Sequence, residues 1–290
     1  MPHRLLALPL ALAAAIAWPA AACASERIDR NASNVRLAVD ANGRALVTYR
    51  AGGRSRSVRA GGAVNAIAPT QSRRQVKFRL RYSGPARISR NACRPYDGPA
   101  LAWLVAACKA PDGSYWALQS WQRLIPHHGE RGSASQRSWE LRLAHWTGEL
   151  AVLDVRLDWA YRRYDHLYGR LTYRGKPVHG FRARSGDPLD TFGRNIYVDT
   201  FNSGYGPGWR REAAFLAQRS TGVFCYGFFG HGSRGTGRGE RYRATVIGPG
   251  VTPDVLWQSD APGAYDRARD LAANEEQRAL FAGTSLCRPN

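Results

Sequence analysis

Alternation of apolar and polar residues along short segments is the main structural signal in this chain. Residues 150–159 place an apolar side chain at every second position from 151 to 159, and Asp154, Arg156 and Asp158 lie on the other side. This period of two is that of a half-buried β-strand. Residues 75–82 (QVKFRLRY) and 139–146 (WELRLAHW) alternate in the same way, and the polar side of the first is basic. Many such strands with turns between them predict a mainly β fold, an antiparallel β-sandwich or a distorted barrel.

Residues 35–50 (VRLAVDANGRALVTYR) predict a hairpin. Asn42-Gly43 suits a two-residue turn, because both residue types tolerate a positive φ. In that register Val39 lies opposite Leu46, and the hairpin has one apolar side.

One segment, residues 265–281, has the composition of a helix. It lacks Gly and Pro and is rich in Ala, Leu, Glu and Arg, which are good helix formers or tolerated ones. A loose apolar stripe predicts its buried side, and the stripe consists of Ala268, Leu271, Ala272, Ala279 and Leu280.

Residues 1–24 have the pattern of a secretory signal peptide. Arg4 precedes an apolar run, and the small residues of Ala22-Cys23-Ala24 suit cleavage after Ala24. The run is too short to span a bilayer stably. We therefore expect a secreted protein with no integral membrane span. The alternative is a lipid anchor on Cys23, although the residues before this cysteine make a poor lipobox.

The rest of the chain divides into three predicted segments. Residues 25–91 form an N-terminal β module that could belong to the same domain as the next segment. Residues 92–258 form the main β-rich domain, and residues 259–290 form a C-terminal helical tail. Ser83-Gly84-Pro85 is the best candidate linker.

Four cysteines follow the predicted cleavage site. An even number in an exported chain predicts a disulfide framework. We expect Cys93–Cys108 and Cys225–Cys287, because pairing the nearest cysteines closes the shortest loops. A zinc site needs close ligand spacing such as CxxC, which is absent. We therefore expect no metal and no cofactor.

The chain is strongly basic, with a formal net charge of +20. Arginine supplies nearly all of the positive charge. One interpretation is a basic surface that binds an acidic polymer or glycan of the cell envelope. Nucleic acid is a further candidate partner, which we favour less. The other interpretation is a composition imposed by a high-GC genome, since the arginines are evenly spread.

The carboxylates offer a weak case for catalysis. Asp154 and Asp158 lie about 13 Å apart along one strand, whereas a glycosidase pair needs about 5–10 Å. A catalytic pair would have to come from separate strands, with Asp158, Asp199 and Glu212 as the candidates. His145, at a strand end, is a candidate general base. Serine-hydrolase and nucleotide-binding motifs are absent.

Aromatic and arginine residues are concentrated in residues 195–229. Tyr205 and Trp209 lie in a Gly/Pro-rich stretch that we expect to be a loop, where a large aromatic residue has less reason to be buried. Flat rings and guanidinium groups suit stacking on sugars and charged donation to anions. The candidate ligand-binding residues are Tyr197, Tyr205, Trp209, Arg210 and Arg211.

Residues 116–123 (WALQSWQR) and 222–228 (GVFCYGF) resemble exported proteins of high-GC actinobacteria. The resemblance covers roughly residues 93–257 and leaves out the N-terminal module and the C-terminal helix. That family has no assigned activity. The resemblance therefore implies a compartment and an extent, and it carries over no catalytic residue.

The sequence leads to a first hypothesis, a secreted, disulfide-bonded binding protein of the cell envelope whose ligand is an acidic polymer or glycan. The alternative is an envelope-acting, glycosidase-like hydrolase, and a third option is a structural protein that contacts other proteins. A hydrolase requires at least two carboxylates converging in a cleft, one with a shifted pKa. A binding protein requires only an exposed surface of aromatic rings and arginines.

Overall fold

A computed structural model describes residues 25–67, 75–84, 87–124, 138–162, 164–178, 196–212, 216–218, 222–227 and 238–282. These residues form four antiparallel sheets and one helix, which confirms the mainly β prediction, and the described strands form no closed barrel. In chain order the elements are β1 (Glu26–Arg30), β2 (Ser33–Val39), β3 (Ala45–Ala51), β4 (Arg54–Gly61), β5 (Arg79–Arg81), β6 (Leu104–Lys109), β7 (Tyr115–Gln122), β8 (Trp139–Trp146), β9 (Ala151–Ala160), β10 (Tyr164–Tyr173), β11 (Lys176–Pro177), β12 (Ile196–Ser203), β13 (Gly206–Arg211), β14 (Leu216–Gln218), β15 (Val223–Gly227), β16 (Arg241–Val246), β17 (Val255–Asp260) and α1 (Arg267–Leu280).

The N-terminal half is a sandwich of two four-stranded sheets with the strand orders β1-β8-β7-β6 and β2-β3-β4-β5. Val47 and Val58 from one sheet pack with Trp116 and Leu141 from the other, and all four are buried. The two sheets draw on strands from both sides of residue 91. The division between sandwiches therefore falls between β8 and β9. Whether residues 25–91 fold alone stays a prediction.

The C-terminal half is a second sandwich. In one sheet β10 pairs with β9 along one side, while β15 and the short β11 pair with different parts of its other side and β14 follows β15. The other sheet has the order β13-β12-β16-β17. Leu167 and Phe224 from the first sheet share a core with Val198 and Tyr242 from the second. The alternation predicted for residues 150–159 is confirmed in β9, whose apolar positions are buried or half-buried.

The predicted register of the first hairpin is wrong by one residue. Val39 lies opposite Ala45, and Leu46 lies opposite Ala38 on the outer side. The reason is Asp40, whose Oδ1 accepts hydrogen bonds of 2.9 Å from the backbone N–H groups of Asn42 and Arg44. These bonds stabilise a turn one residue longer than the two-residue turn, and such a slip exchanges the two sides of a strand.

The C-terminal helix is confirmed, but its predicted buried side is wrong. Leu271 is 57% exposed, whereas Asp270, Asn274 and Gln277 are buried. Asp270 and Asn274 accept hydrogen bonds from the backbone N–H groups of the β9–β10 turn, at residues 161–162. The helix therefore attaches to the second sandwich through polar groups as well as through apolar packing near Phe281.

The Cys93–Cys108 disulfide is present, with Cα atoms 5.5 Å apart, as the sequence predicts. Cys225 is also disulfide-bonded, while Cys287 lies outside the described residues, as do residues 1–24 with Cys23. No helix among the described residues is long and apolar enough to cross a membrane.

Candidate anion-binding surface

The outer side of the sheet β2–β5 is covered with arginine. Residues of a strand alternate between its two sides, and Val47, Val58 and Leu80 pack inward against the first core. The residues next to them along each strand therefore point outward. We call this outer side the arginine face, and its arginines are Arg36, Arg44, Arg50, Arg59, Arg79 and Arg81.

The register sets the dimensions of the arginine face. Arg59 lies opposite Arg81, and Arg50 lies opposite Ser33 and Ser55. With residues about 3.4 Å apart along a strand and strands about 4.8 Å apart, the arginines cover about 20 Å by about 14 Å. The face is therefore larger than a single small anion and is close to the size of several units of a polymer.

The arginines of this face other than Arg59 form no ion pair with an acidic residue in the described part of the chain. All five are exposed, namely Arg36, Arg44, Arg50, Arg79 and Arg81. Asp40, the acidic residue at the end of β2, uses Oδ1 for its own turn. The charges of these five arginines are therefore not neutralised by ion pairs among the described residues.

Two arginines even face each other directly. Like charges on opposite residues of neighbouring strands destabilise a sheet, by about 0.2–1 kcal/mol, and Arg59 and Arg81 form such a pair. Arg59 is partly restrained, since its Nη2 donates to the Arg87 carbonyl at 2.6 Å. An anion between the two guanidinium groups would turn this repulsion into attraction.

The chain between β5 and β6 adds to the basic surface. Its segment 87–92 runs from Arg59 on β4 to the edge of β2, where the Ala92 N–H donates to the Val39 carbonyl at 2.7 Å. Leu46, which lies on the outer side of the sheet opposite Arg59, is only 4% exposed. Arg87 and Arg90 on this segment are both exposed.

The stretch predicted to bind ligand is arranged differently. The expected loop around Trp209 is a hairpin of β12 and β13, in which Phe201 lies opposite Trp209. Asn202 and Gly208 adopt positive φ angles of 50° and 74°, and Gly208 N–H donates to Asn202 Oδ1 at 2.8 Å. These groups lie beside the register shift next to the turn, in which Ser203 pairs with Gly206. The Gly/Pro composition alone does not distinguish such a hairpin from a loop.

Rings and guanidinium groups alternate on the outer side of the sheet β13-β12-β16-β17. The Arg243 guanidinium carbon lies 4.3 Å from the centre of the Trp209 ring, and that of Arg241 lies 4.2 Å from the Phe201 ring. The Arg211 guanidinium carbon lies 4.5 Å from the Tyr197 ring. We call this set the aromatic–arginine ladder, and its members are Tyr197, Phe201, Trp209, Arg211, Arg241 and Arg243.

Asp199 neutralises the centre of the ladder. It is fully buried, and its carboxylate accepts from Arg211 Nε and, at 2.7 Å, from Arg243 Nε. Arg211 is itself only 4% exposed. The predicted ligand-binding residues Tyr197, Trp209 and Arg211 therefore have contacts within the protein, and these contacts resemble a stabilising network more than an open binding surface.

The remaining predicted ligand-binding residues, Tyr205 and Arg210, are half-buried. Arg210 lies opposite Thr200, on the other side of the sheet from the ladder. Burial, followed by the nearby Glu212 carboxyl, raises the pKa of Tyr205. Tyr205 is thus a partner of a buried acid, whereas we expected an exposed stacking surface.

Glu212 lies on the core side of the second sandwich and is 2% exposed. Its Oε1 accepts from the Thr200 hydroxyl at 2.7 Å. Burial raises the pKa of Glu212 to about 8, and the neighbouring Asp199 charge adds to this shift. The carboxyl is therefore mostly protonated at neutral pH.

The candidate catalytic carboxylates do not converge. Asp199 and Glu212 lie on opposite sides of one sheet, because Asp199 lies opposite Arg211, the last residue of β13, and Glu212 is the next residue along the chain. Asp158 lies in the other sheet of that sandwich and pairs with Arg269 of the helix at 3.0 Å. No group of three or more His, Cys, Asp or Glu side chains suited to a metal occurs among the described residues.

His145, the candidate general base, is buried in the first sandwich. Its Nδ1 lies 2.6 Å from the Ala63 carbonyl oxygen and its Nε2 lies 2.8 Å from the Ser114 hydroxyl. The ring stacks on Trp116 with centres 3.8 Å apart. Burial lowers the pKa of His145 to about 4. The imidazole is therefore neutral, and both ring nitrogens are engaged.

Sequence reasoning detected one strand of the arginine face and missed the rest. The basic side of residues 75–82 was evident from their alternation. The alternation of Arg54–Gly61 is also visible, but its relation to the other strands depends on the hairpin register set by Asp40. Comparison of the chain with protein-family models, curated proteins and solved structures finds no match.

Proposed function

We propose that this chain is an exported, disulfide-bonded protein that binds an acidic polymer of the cell envelope through the arginine face. The observation that carries the proposal is that the five arginines of the arginine face other than Arg59 point outward from one sheet and form no ion pair among the described residues. Lysine or arginine contacts to a polyanion release condensed counterions, which makes binding favourable at low salt and weak at high salt. Arginine also binds phosphate and carboxylate groups bidentately.

An extended ligand suits this surface better than a small one. A face of about 20 Å by about 14 Å can contact several repeating anionic groups at once. Individual exposed contacts are weak, but contacts along one polymer add up because the later ones are intramolecular. A teichoic acid or an acidic glycan has this chemistry, and so does single-stranded nucleic acid.

Export is supported by two independent features. Residues 1–24 have the pattern of a signal peptide, and the Cys93–Cys108 disulfide is typical of oxidising compartments. The resemblance to exported actinobacterial proteins agrees with this proposal. A cell envelope also provides the dense anionic polymers that the arginine face would bind.

The described residues support the hydrolase alternative less. Glu212 has the raised pKa that a general acid needs, but its carboxyl lies in the core. Asp199 is neutralised by two arginines, and Asp158 is engaged by the helix. We therefore favour binding over hydrolysis.

The test compares two variants of equal charge. Arg36, Arg50 and Arg81 on the arginine face are replaced by Gln in one, and the exposed Arg170, Arg267 and Arg278 of the C-terminal half are replaced by Gln in the other. Binding to purified teichoic acid, to a polyuronate and to single-stranded DNA is measured in a salt series. We expect the first variant to bind the preferred polymer at least about tenfold more weakly, with a salt slope lower by about 2–3.

The control variant should change affinity much less, because its arginines lie outside the proposed surface. Equal losses in both variants would mean that binding follows net charge alone, which would contradict a defined site. Binding that persists at high salt would point instead to stacking on neutral sugar. Thermal melts of both variants verify that the fold is retained.

A further inference from the structure

A cluster of buried polar groups joins the two sandwiches, and Ser25 lies at its centre. Ser25 is fully buried. Its hydroxyl donates to Asp254 Oδ1 at 2.5 Å, while Arg142 donates from Nε to the Ser25 hydroxyl at 2.8 Å and from Nη2 to the Ser25 carbonyl at 2.7 Å. We call this the seam cluster, and its members are Ser25, Gln119, Trp121, Glu140, Arg142 and Asp254.

Asp254 connects the seam cluster to both halves of the chain. It belongs to the β16–β17 connection of the second sandwich, yet Trp121 Nε1 of the first sandwich donates to its Oδ2 at 2.6 Å. Its backbone N–H donates to Gln119 Oε1 at 2.8 Å. In the same connection Val251 packs in the first core and accepts from the His145 N–H. The first residue after the predicted leader is thus built into the contact between sandwiches.

Two buried carboxylates of the seam cluster share one buried cation, Arg142. Arg142 carries one positive charge, and Glu140 and Asp254 carry two negative ones, all three within side chains that are at most 3% exposed. Arg27 and Arg30 reach Glu140 from the surface, at 3.1 and 3.8 Å. Asp254 pairs with Arg142 at 3.3 Å and also accepts from the Gly248 N–H at 3.1 Å, but no second cation pairs with it among the described residues. A buried carboxylate that shares its cation with another carboxylate gains from a further positive charge, because few water molecules solvate it.

Cleavage after Ala24 would create a charge beside Asp254. Hydrolysis by a signal peptidase adds water across the Ala24–Ser25 peptide bond, which leaves a carboxylate on the released leader and an amino group on Ser25. An α-amino group has a pKa of about 7.7–8.0 and is largely protonated at neutral pH. It lies on the residue whose hydroxyl and carbonyl are already bound in the cluster.

We propose that Ser25 is the mature amino terminus and that its α-ammonium group is a second cation for Asp254 in the seam cluster. Removal of the leader then does more than release the protein from the export machinery. It completes the electrostatics of the contact between the two sandwiches, so the processed chain is the stable form. This inference rests on the proposed export through the signal peptide, but it does not depend on the arginine face and would survive the failure of that surface.

The first test uses three forms of the full mature chain that differ only at the amino terminus. One begins at Ser25, the second begins at Ser25 and carries an Nα-acetyl group, and the third begins at Ala24. We expect the acetylated and extended forms to melt at least about 3 °C lower than the first. In an Asp254→Asn background the three forms should melt together, because the carboxylate that needs the cation is gone. Equal melting temperatures in the native background would overturn the proposal.

A second measurement does not depend on stability. An amine-modifying reagent at pH 8 should label the Ser25 α-amino group at least about tenfold more slowly in the native protein than in urea, as expected of a buried and charged amine. Lys176, which is exposed, serves as the internal control. Labelling of Ser25 at the native rate of Lys176, or a mature chain that begins at another residue, would refute the assignment.

Discussion

The arginine face and the aromatic–arginine ladder both place arginines on the outer side of a four-stranded antiparallel sheet, but their guanidinium groups have different neighbours. In the ladder, Arg211 and Arg243 bind Asp199 and stack on rings. On the arginine face, Arg81 lies opposite Arg59 and has no ion pair among the described residues. The first set stabilises its own sheet, whereas the second has unused capacity for an anion.

This difference separates two interpretations that composition leaves open. A net charge of +20 is compatible with a functional surface and with a genome bias. Arginines introduced without selection for binding would be expected to acquire partners or to be scattered over the surface. Arginines without an ion pair among the described residues also occur elsewhere, such as Arg170 and Arg267, but five of them share the outer side of one sheet. This grouping favours function at that sheet, and the ladder shows that the same chain also uses arginine structurally.

The largest effect is expected from Asp199→Asn, which removes the carboxylate shared by the ladder arginines. Arg211 would become a buried cation without compensation, and we expect a loss of about 3–5 kcal/mol of stability. Urea unfolding measures the loss, and polymer affinity of the folded protein should be unchanged. Asp158→Asn is the matched control, since its half-exposed ion pair with Arg269 should contribute less than about 1 kcal/mol. If Asp199→Asn loses no more stability than Asp158→Asn, the ladder does not act as a structural network.

A pH effect of similar size is expected from Glu212. Burial raises its folded pKa to about 8 from the ordinary value of 4.5, so the stabilisation from its bound proton is full below pH 4.5 and is lost as pH rises through 8. Glu212→Gln should remove this dependence and be the more stable form at pH 9, by about 5 kcal/mol. Urea unfolding at pH 5, 7 and 9 measures the difference. Parallel pH profiles for the two proteins would contradict a buried, protonated Glu212.

A smaller effect is expected from Trp209→Leu in the ladder. The ring contacts of Arg241 and Arg243 would be lost, and we expect a loss of about 2 kcal/mol of stability. The sequence-based hypothesis predicts the opposite pattern, namely that Tyr205→Ala with Trp209→Ala weakens ligand binding without unfolding. Measurement of both stability and polymer affinity decides between them. Weakened binding in a fully stable double variant would restore the ladder as the ligand site.

The smallest expected change in stability is the most diagnostic one, because it should be an increase. Arg81→Thr removes one of two facing arginines, so stability should increase by about 0.5 kcal/mol while polymer binding decreases. Arg50→Thr is the control, because Arg50 lies opposite serines and its loss should weaken binding without the gain in stability. Thermal unfolding and a binding titration of both variants are sufficient. A loss of stability in Arg81→Thr would show that no repulsion exists there.

Local features of the fold followed from the sequence, whereas features set by distant partners did not. The alternation in β9 was sufficient, since one side of that strand lies in a core, whereas β8 alternates in sequence but is buried on both sides. The hairpin register was missed because Asp40 contributes side-chain bonds that composition does not reveal. In the candidate site, the basic side of β5 was predictable, but the pairing of Arg81 with Arg59 required the sheet order. The contacts of Trp209 with Arg241 and Arg243 were not predictable for the same reason, since both arginines come from β16.

The polar attachment of helix α1 affects how the protein responds to heat. Exposure of apolar surface raises the heat capacity on unfolding and exposure of polar surface lowers it. Detachment of a helix whose buried side includes Asp270, Asn274 and Gln277 would therefore absorb enthalpy with little change in heat capacity. In a calorimetric scan such a step would precede the melting of the sandwiches as a shoulder with a flat baseline, and cooling would not weaken the attachment as it weakens an apolar contact.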